Sequence, residues 1–286
     1  MPTSDRLSEL HSLIMRETMR AEAAGAAPAF STLQPLYAEK NTNGVDLSQR
    51  IARLCDVEHL CADIAASRFT LANINPLVWN DDLENALREA TFPDRVTGGQ
   101  IEIRSLMDSY YGSCWTDQPE SQFAWDTFGV APTKVRIEST VGRVLAALMH
   151  PNDPYFGLHL YAGLVEYRRD TELAKWVSTV KLDGLLDSEG RSLALALSVV
   201  RDDFQQESEV RIIYSHHEED SWVQANVTLA PHLDNDKGFA RIPCSWSGLI
   251  DSITVRSNMP ATAKARLTST LASAGLSVPI VDSAIV

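Results

Sequence analysis

A chain of 286 residues, 44% hydrophobic and 22% charged, can bury a core as one large domain or as two small ones. Its 25 basic and 38 acidic residues leave a net charge of −13, which repels a phosphate backbone and disfavours nonspecific nucleic-acid binding. No run approaches the roughly 18 apolar residues of a membrane span, and the mixed charges of the N-terminus leave no signal-peptide core, so a cytoplasmic protein is expected.

Residues 1–28 read as an N-terminal helical arm with an Ala-rich connector. Leu7, Leu10, Ile14 and Met15 recur at helical spacing, and Gly25 and Pro28 end the helix. Such an arm packs on the body or holds a protein partner. Residues 29–286 read as a single α+β domain. It opens with a short strand at Leu36 and Tyr37. Asp46 and Gln49 then have capping-box spacing before a stripe of Leu47, Ile51, Leu54 and Cys55.

A strand at Phe69–Ala72 leads through a Pro-bounded loop to a helix from about Asp81. Alternation predicts strands in QIEIRSL and TKVRIES, with aromatic YYGSCWT between them. ESQFAWDTFG reads as a short helix ended by Gly129, and Ser139 as the cap of a helix carrying Val141, Val144, Leu145 and Leu148. Strand GLHLYAGLVEY follows, then a helix over 171–182. Leu193, Leu197, Val200 and Phe204 line one face of another helix. SWVQANVTLA and GLIDSITVRS read as strands, Pro260 and Gly275 bracket a late helix, and LSVPIV closes as an edge strand. Strands are not separated by regular helices, so mostly antiparallel sheets with flanking helices are expected.

The segment FQQESEVRIIYSHHEED holds the densest chemistry. On a strand, Glu207, Glu209 and Arg211 share one face opposite Val210 and Ile212. Such a row is a solvated face, or a site that stabilises developing positive charge. There is no phosphate-binding Gly-x-x-x-x-Gly-Lys-Ser/Thr, no Gly-x-Gly-x-x-Gly after a strand, no Gly-x-Ser-x-Gly and no His-Glu-x-x-His. The common ATPases, dinucleotide oxidoreductases and α/β-hydrolases fall away. Cys55, Cys61, Cys114 and Cys244 lack zinc spacing, and adjacent His216 and His217 point apart on a strand, so no metal is expected.

Three other clusters stand out. Tyr37 in PLYAEKN reads alone as a strand-start aromatic. In NDDLEN, helix capping accounts for Asn80, Asp81 and Glu84. In CWTDQPESQFAWDTFG, Thr116 ends a strand, and Trp125 and Phe128 face one way at i, i+3, which is core spacing as readily as a ligand platform.

In this order, PLY, FTLANINPLVWNDDLE, CWTDQPESQFAWDTF, KVRIES and ESEVR resemble a widespread bacterial family known only as a domain of unknown function, number 2971 in that series, over residues 33–286. The chain departs from that pattern in carrying Asp82 for a proline, Thr116 for a serine, Phe128 for a tyrosine and Ala38 for a basic residue, whose phosphate-handling role would be vacant or pass to Lys40. The family's motif order is similar to that of the ADP-ribosyltransferase-like fold. The resemblance implies NAD as substrate, with no metal, in a toxin or anti-phage effector. It implies Glu209 as the carboxylate that stabilises an oxocarbenium-like ribosyl cation. Glu207 would orient acceptor or ribose, and Tyr37, Thr116, Trp125, Phe128 and Arg211 would bind the dinucleotide. The rival is a binding or regulatory module of the same fold without turnover, which the losses at positions 38 and 82 favour.

Overall fold

A computed structural model describes residues 4–79, 81, 84–94, 96–232 and 235–285. Asn80 and Asp82 lie outside the described residues. The helix Ser4–Ala23 starts with Asp5 and ends with Arg20, each at the favourable end of its dipole. It buries Leu10 and Ile14, and Arg6 reaches Glu39 of the next helix, Phe30–Lys40, at 2.7 Å. That second helix replaces the strand expected at Leu36 and Tyr37. Pro35 inside it removes one helical N–H, a feature that argues against a helix in sequence; burial of Leu33 and Ala38 outweighs it here.

The main sheet runs in the order Thr42–Asn43, Leu160–Leu164, Glu209–Ser215, Tyr110–Thr116, Arg50–Asp56, Lys134–Thr140, Ser252–Val255, Ile280–Asp282. Its first and last pairings are parallel and those between are antiparallel. The fold is therefore mixed α/β around one large mixed sheet, in place of mostly antiparallel sheets. The stripe expected on a helix after Asp46 is strand Arg50–Asp56, paired along its length from Arg50 opposite Thr140 to Asp56 opposite Lys134. Leu47, Ile51 and Leu54 fit helical spacing, but the seven-residue ladder wins. Asp46 instead closes a turn on the Ser48 N–H at 2.7 Å.

Other elements shift in the same manner. Thr140, not Ser139, caps the helix Val141–Leu148. The helix expected through Leu193–Phe204 is broken into helix Arg191–Ala196, strand Val199–Arg201 and a 3₁₀ turn Asp202–Glu207. The helix expected from Asp81 is a short helix Pro76–Trp79 followed by turns. Ser221–Asn226 is helical before the strand Thr228–His232. The helix Ala261–Ser273 matches expectation, and the closing strand is shorter and later than LSVPIV, at Ile280–Asp282.

The sheet forks at Tyr110–Thr116. Near one end this strand pairs with Arg68–Asn73, Gly112 lying opposite Ala72; at the other end Thr116 lies opposite Ala52 of Arg50–Asp56. Beyond the first branch come Asn235–Pro243 and then Thr228–His232, which carries Pro231 on that sheet edge. The stretch Ser113–Trp115 between the branches has no described strand partner on the fork side. On its other side it pairs with Glu209–Ser215. That strand lies between two apolar cores: Val210, Ile212 and Tyr214 join the larger, and Ile213 the smaller. Glu209 and Arg211 share the face of Ile213.

Candidate functional site

A cleft of about 790 Å³ opens at the fork, within the range typical of small-molecule sites. Its floor is the strand Tyr110–Thr116, where Gly112, Cys114 and Thr116 alternate toward one face. Ala52 and Leu54 line it from one branch and Ala72 from the other. Trp79, Phe123, Phe128 and Phe204 supply aromatic surface. Gly112 lets side chains close over the strand: a Cβ there would stand 2.9 Å from Ile74 Cδ1 and 3.3 Å from Trp79 Cζ2, and these side chains would have to shift.

Carboxylates gather at the end of Glu209–Ser215. Glu209 is buried, and both its oxygens accept from Arg211, Oε1 from Nε at 3.0 Å and Oε2 from Nη2 at 2.9 Å. Glu84 approaches the same Nη2 at 2.7 Å. The guanidinium is 1% exposed, donates to the Leu197 carbonyl through Nη1, and lies 5.0 Å from the Trp79 ring centre. Burial opposes its charge, yet Glu209 and Glu84 hold its pKa well above the ordinary range. One cation thus serves two buried carboxylates. Burial, outweighing Arg211 and reinforced by Glu209 and Asp81, pushes the Glu84 carboxyl up to about 7.

Glu207 is not in the strand row. It ends the 3₁₀ turn, half-buried, and its carbonyl accepts from the Thr116 hydroxyl at 2.7 Å. Burial, then Glu209 and Glu84, push its carboxyl up to about 7. Among the described residues no group hydrogen-bonds the Glu207 carboxylate. Asp81 also lines the cleft and faces Arg201 Nε at 3.3 Å. Burial pushes the Cys114 thiol well up, so it is a poor nucleophile.

Of the residues singled out in sequence, the cleft gathers Glu207, Glu209, Arg211, Thr116, Phe128, Asp81 and Glu84. It does not gather Tyr37 or Trp125. Tyr37 belongs to the helix Phe30–Lys40 and packs edge-on against Phe156 at 5.4 Å. Trp125 turns into the core, its Nε1 donating to Glu120 at 2.7 Å, while Phe128 faces the cleft. Lys40 is buried and ion-paired with Glu189, so it is not available as a phosphate ligand. Asn80 lies outside the described residues.

Sequence reasoning missed Trp79, Phe204 and Arg53 as lining residues. Trp79 stands inside the quoted NINPLVWNDDLE stretch, and a tryptophan beside two acids was the available signal. Phe204 was hidden by the expectation of a continuous helix.

No protein-family model matches this chain, and no curated protein matches it. Among solved structures, Thermus sp. 2.9 DarT in complex with NAD+ aligns at 12% identity and a TM-score of 0.35, over 83% of this chain and 96% of that one. The same protein in complex with ADP-ribosylated ssDNA aligns at 11% identity and a TM-score of 0.36, over 82% and 94%. At these values no residue correspondence follows.

Proposed function

We propose that the cleft takes NAD as a substrate and that the chain is an ADP-ribosyltransferase-like enzyme of the domain-of-unknown-function family number 2971. The observation that carries the reading is the half-buried Glu207 carboxyl, unclaimed by any described hydrogen-bond donor and backed by the Glu209–Arg211–Glu84 cluster in an aromatic-lined cleft. The chemistry requires a carboxylate beside the ribosyl carbon. When the bond between C1′ and the nicotinamide nitrogen breaks, its electron pair leaves with nicotinamide and positive charge develops on the ribose. A fixed carboxylate stabilises that charge. An acceptor N–H or O–H then bonds to C1′, and its proton passes to the carboxylate.

The roles differ from those that the resemblance implies. Both Glu209 oxygens are bound by Arg211, so Glu209 is better suited to positioning, and Glu207 to meeting the reacting carbon. Trp79 and Phe128 offer faces for a flat pyridinium. The stretch Ser113–Trp115, without a described strand partner on the fork side, offers backbone polar groups to its amide. Arg53 lines the cleft and suits a pyrophosphate.

The test is nicotinamide release from NAD by the purified chain, alone and with cell lysate as a source of acceptor. Glu207→Gln should lower the rate about a hundred- to a thousand-fold, the usual loss for one well-placed electrostatic stabiliser. Glu209→Gln should lower both rate and stability. No nicotinamide release under either condition would overturn the enzyme reading. A second reading, a binding module without turnover, is favoured by the complete occupation of Glu209 by Arg211. It predicts saturable NAD binding with no product.

A further inference from the structure

At the other end of the strand Glu209–Ser215, beside the Tyr214 face, three segments distant in sequence meet. Asp153 comes from the turn after helix Val141–Leu148, His159 ends the helix Phe156–His159, and Asp220 caps the helix Ser221–Asn226. Their side chains are 4%, 2% and 5% exposed. One donor atom from each lies within 4.8 Å of the other two.

Asp153 Oδ2 stands 2.8 Å from His159 Nδ1, and its Oδ1 accepts from the Tyr155 N–H at 2.8 Å, so the carboxylate itself is held. With the ring proton on Nδ1, His159 Nε2 presents a lone pair. It faces Asp220 Oδ2 at 3.7 Å, too long for a hydrogen bond. Asp220 Oδ1 caps its helix by accepting from the Trp222 N–H at 2.7 Å. Asp220 Oδ2 is buried with no hydrogen-bond partner, and so is the Tyr214 hydroxyl, whose ring lies 5.9 Å from that of His159. Two buried acceptors aimed at each other, next to a second carboxylate, call for a cation.

We propose that His159 Nε2 and Asp220 Oδ2 bind a divalent transition-metal ion, with Asp153 holding the imidazole and Tyr214 or solvent completing the shell. Zinc bonds of roughly 2.0–2.2 Å at tetrahedral angles set two ligand atoms roughly 3.4 Å apart. The observed 3.7 Å needs a closure of only a few tenths of an ångström. A carboxylate that orients a metal-binding imidazole through its other nitrogen is a recurring arrangement. Imidazole with carboxylate suits zinc and its neighbours over magnesium. The charge also balances: a dication neutralises both carboxylates, whereas a proton on His159 neutralises one. His217 is exposed and its ring stacks on His159 at 5.1 Å, covering one face of the imidazole. Bound there, the ion would tie the sheet to two helix ends. The cysteine and histidine spacings of the sequence gave no sign of this, because the donors lie on three separate segments.

The proposal is independent of the reading of the cleft. The 286-residue chain, stripped with a chelator, is titrated with ZnCl2 by calorimetry and then melted with and without zinc. One zinc per chain and a zinc-dependent rise in melting temperature are expected. Asp220→Asn keeps the helix cap and removes the metal-facing oxygen, and should abolish both effects; His159→Gln should do the same. Asp153→Asn should weaken zinc binding about 10- to 100-fold. If His159→Gln does not fold, Asp220→Asn decides. Absence of saturable zinc binding, or binding unchanged in Asp220→Asn, would overturn the site in favour of a buried imidazolium between two carboxylates.

Discussion

The Thr116 hydroxyl donates to the Glu207 carbonyl at 2.7 Å, clipping the turn that carries Glu207 onto the end of the strand Tyr110–Thr116. The next residue, Ser208, sits at φ 43°, a left-handed conformation uncommon outside glycine, and its hydroxyl donates to Asp117 Oδ1 at 2.7 Å. The side chains at both ends therefore hold the turn against its own backbone preference. Thr116→Val should cost about 1 kcal/mol in urea unfolding. It should also reduce nicotinamide release, and Thr116→Ser should restore both. A Thr116→Val chain as stable and active as the parent would mean that the clip does not position Glu207.

Arg211 answers two buried carboxylates, so its loss leaves both uncompensated. Arg211→Met should destabilise the chain by about 3–5 kcal/mol at pH 8, the usual cost of breaking a buried ion pair from one side. The defect should shrink toward pH 5 as Glu84, already pushed up to about 7 by burial, takes up its proton. Adding Glu84→Gln and Glu209→Gln to Arg211→Met should recover much of the loss, read by denaturant midpoint. A triple variant no more stable than Arg211→Met would place the cost elsewhere, in the lost packing on Trp79.

Glu84 and Glu207 make a defined contribution to pH dependence. Both are pushed up to about 7 from 4.5, so between those values the folded chain holds protons that the unfolded chain has released. Their contribution is full below about pH 4.5 and falls away as pH rises through 7. His216, held down to about 4 by burial, tilts the opposite way from pH 4 to 6.5. The measurement is therefore the difference between the chain and Glu84→Gln or Glu207→Gln. Each variant should remove part of the stability lost between pH 5 and 7.5. Parallel curves for parent and variants would refute the raised carboxyls.

Leu10 is fully buried on the first helix, against the helix Phe30–Lys40. Leu10→Ala should cost about 2–5 kcal/mol, as core leucine truncations do. The exposed Met19 beyond it is a natural control, where Met19→Ala should stay within about 0.5 kcal/mol. Equal effects at the two positions, by thermal melting, would mean that the helix is undocked in solution.

What was legible in the sequence follows from how local each signal is. Strand Lys134–Thr140 and the helix Ala261–Ser273 carry their own alternation, periodicity and stop signals, and both emerge where expected. Glu209 and Arg211 fall on one face of a strand because a two-residue period fixes that without tertiary knowledge. Glu207 was misplaced by the same rule, because the strand starts two residues later. Tyr37 failed because Pro35 masked a helix whose support is tertiary. The pairing of Glu84 with Arg211 spans 127 positions and needs the fork of the sheet to bring the two together.

Among the described residues the large sheet ends in three outer strands, and each is a poor template. Thr42–Asn43 has two residues, Ile280–Asp282 has three, and Thr228–His232 carries Pro231, which has no N–H to donate. Another chain therefore has little backbone ladder to extend at any of them. At these three edges recognition of a partner must pass through side chains, and strand-upon-strand stacking of copies is disfavoured there. At high concentration the folded chain should stay dispersed, and the aggregates that form on heating should come from unfolded chains.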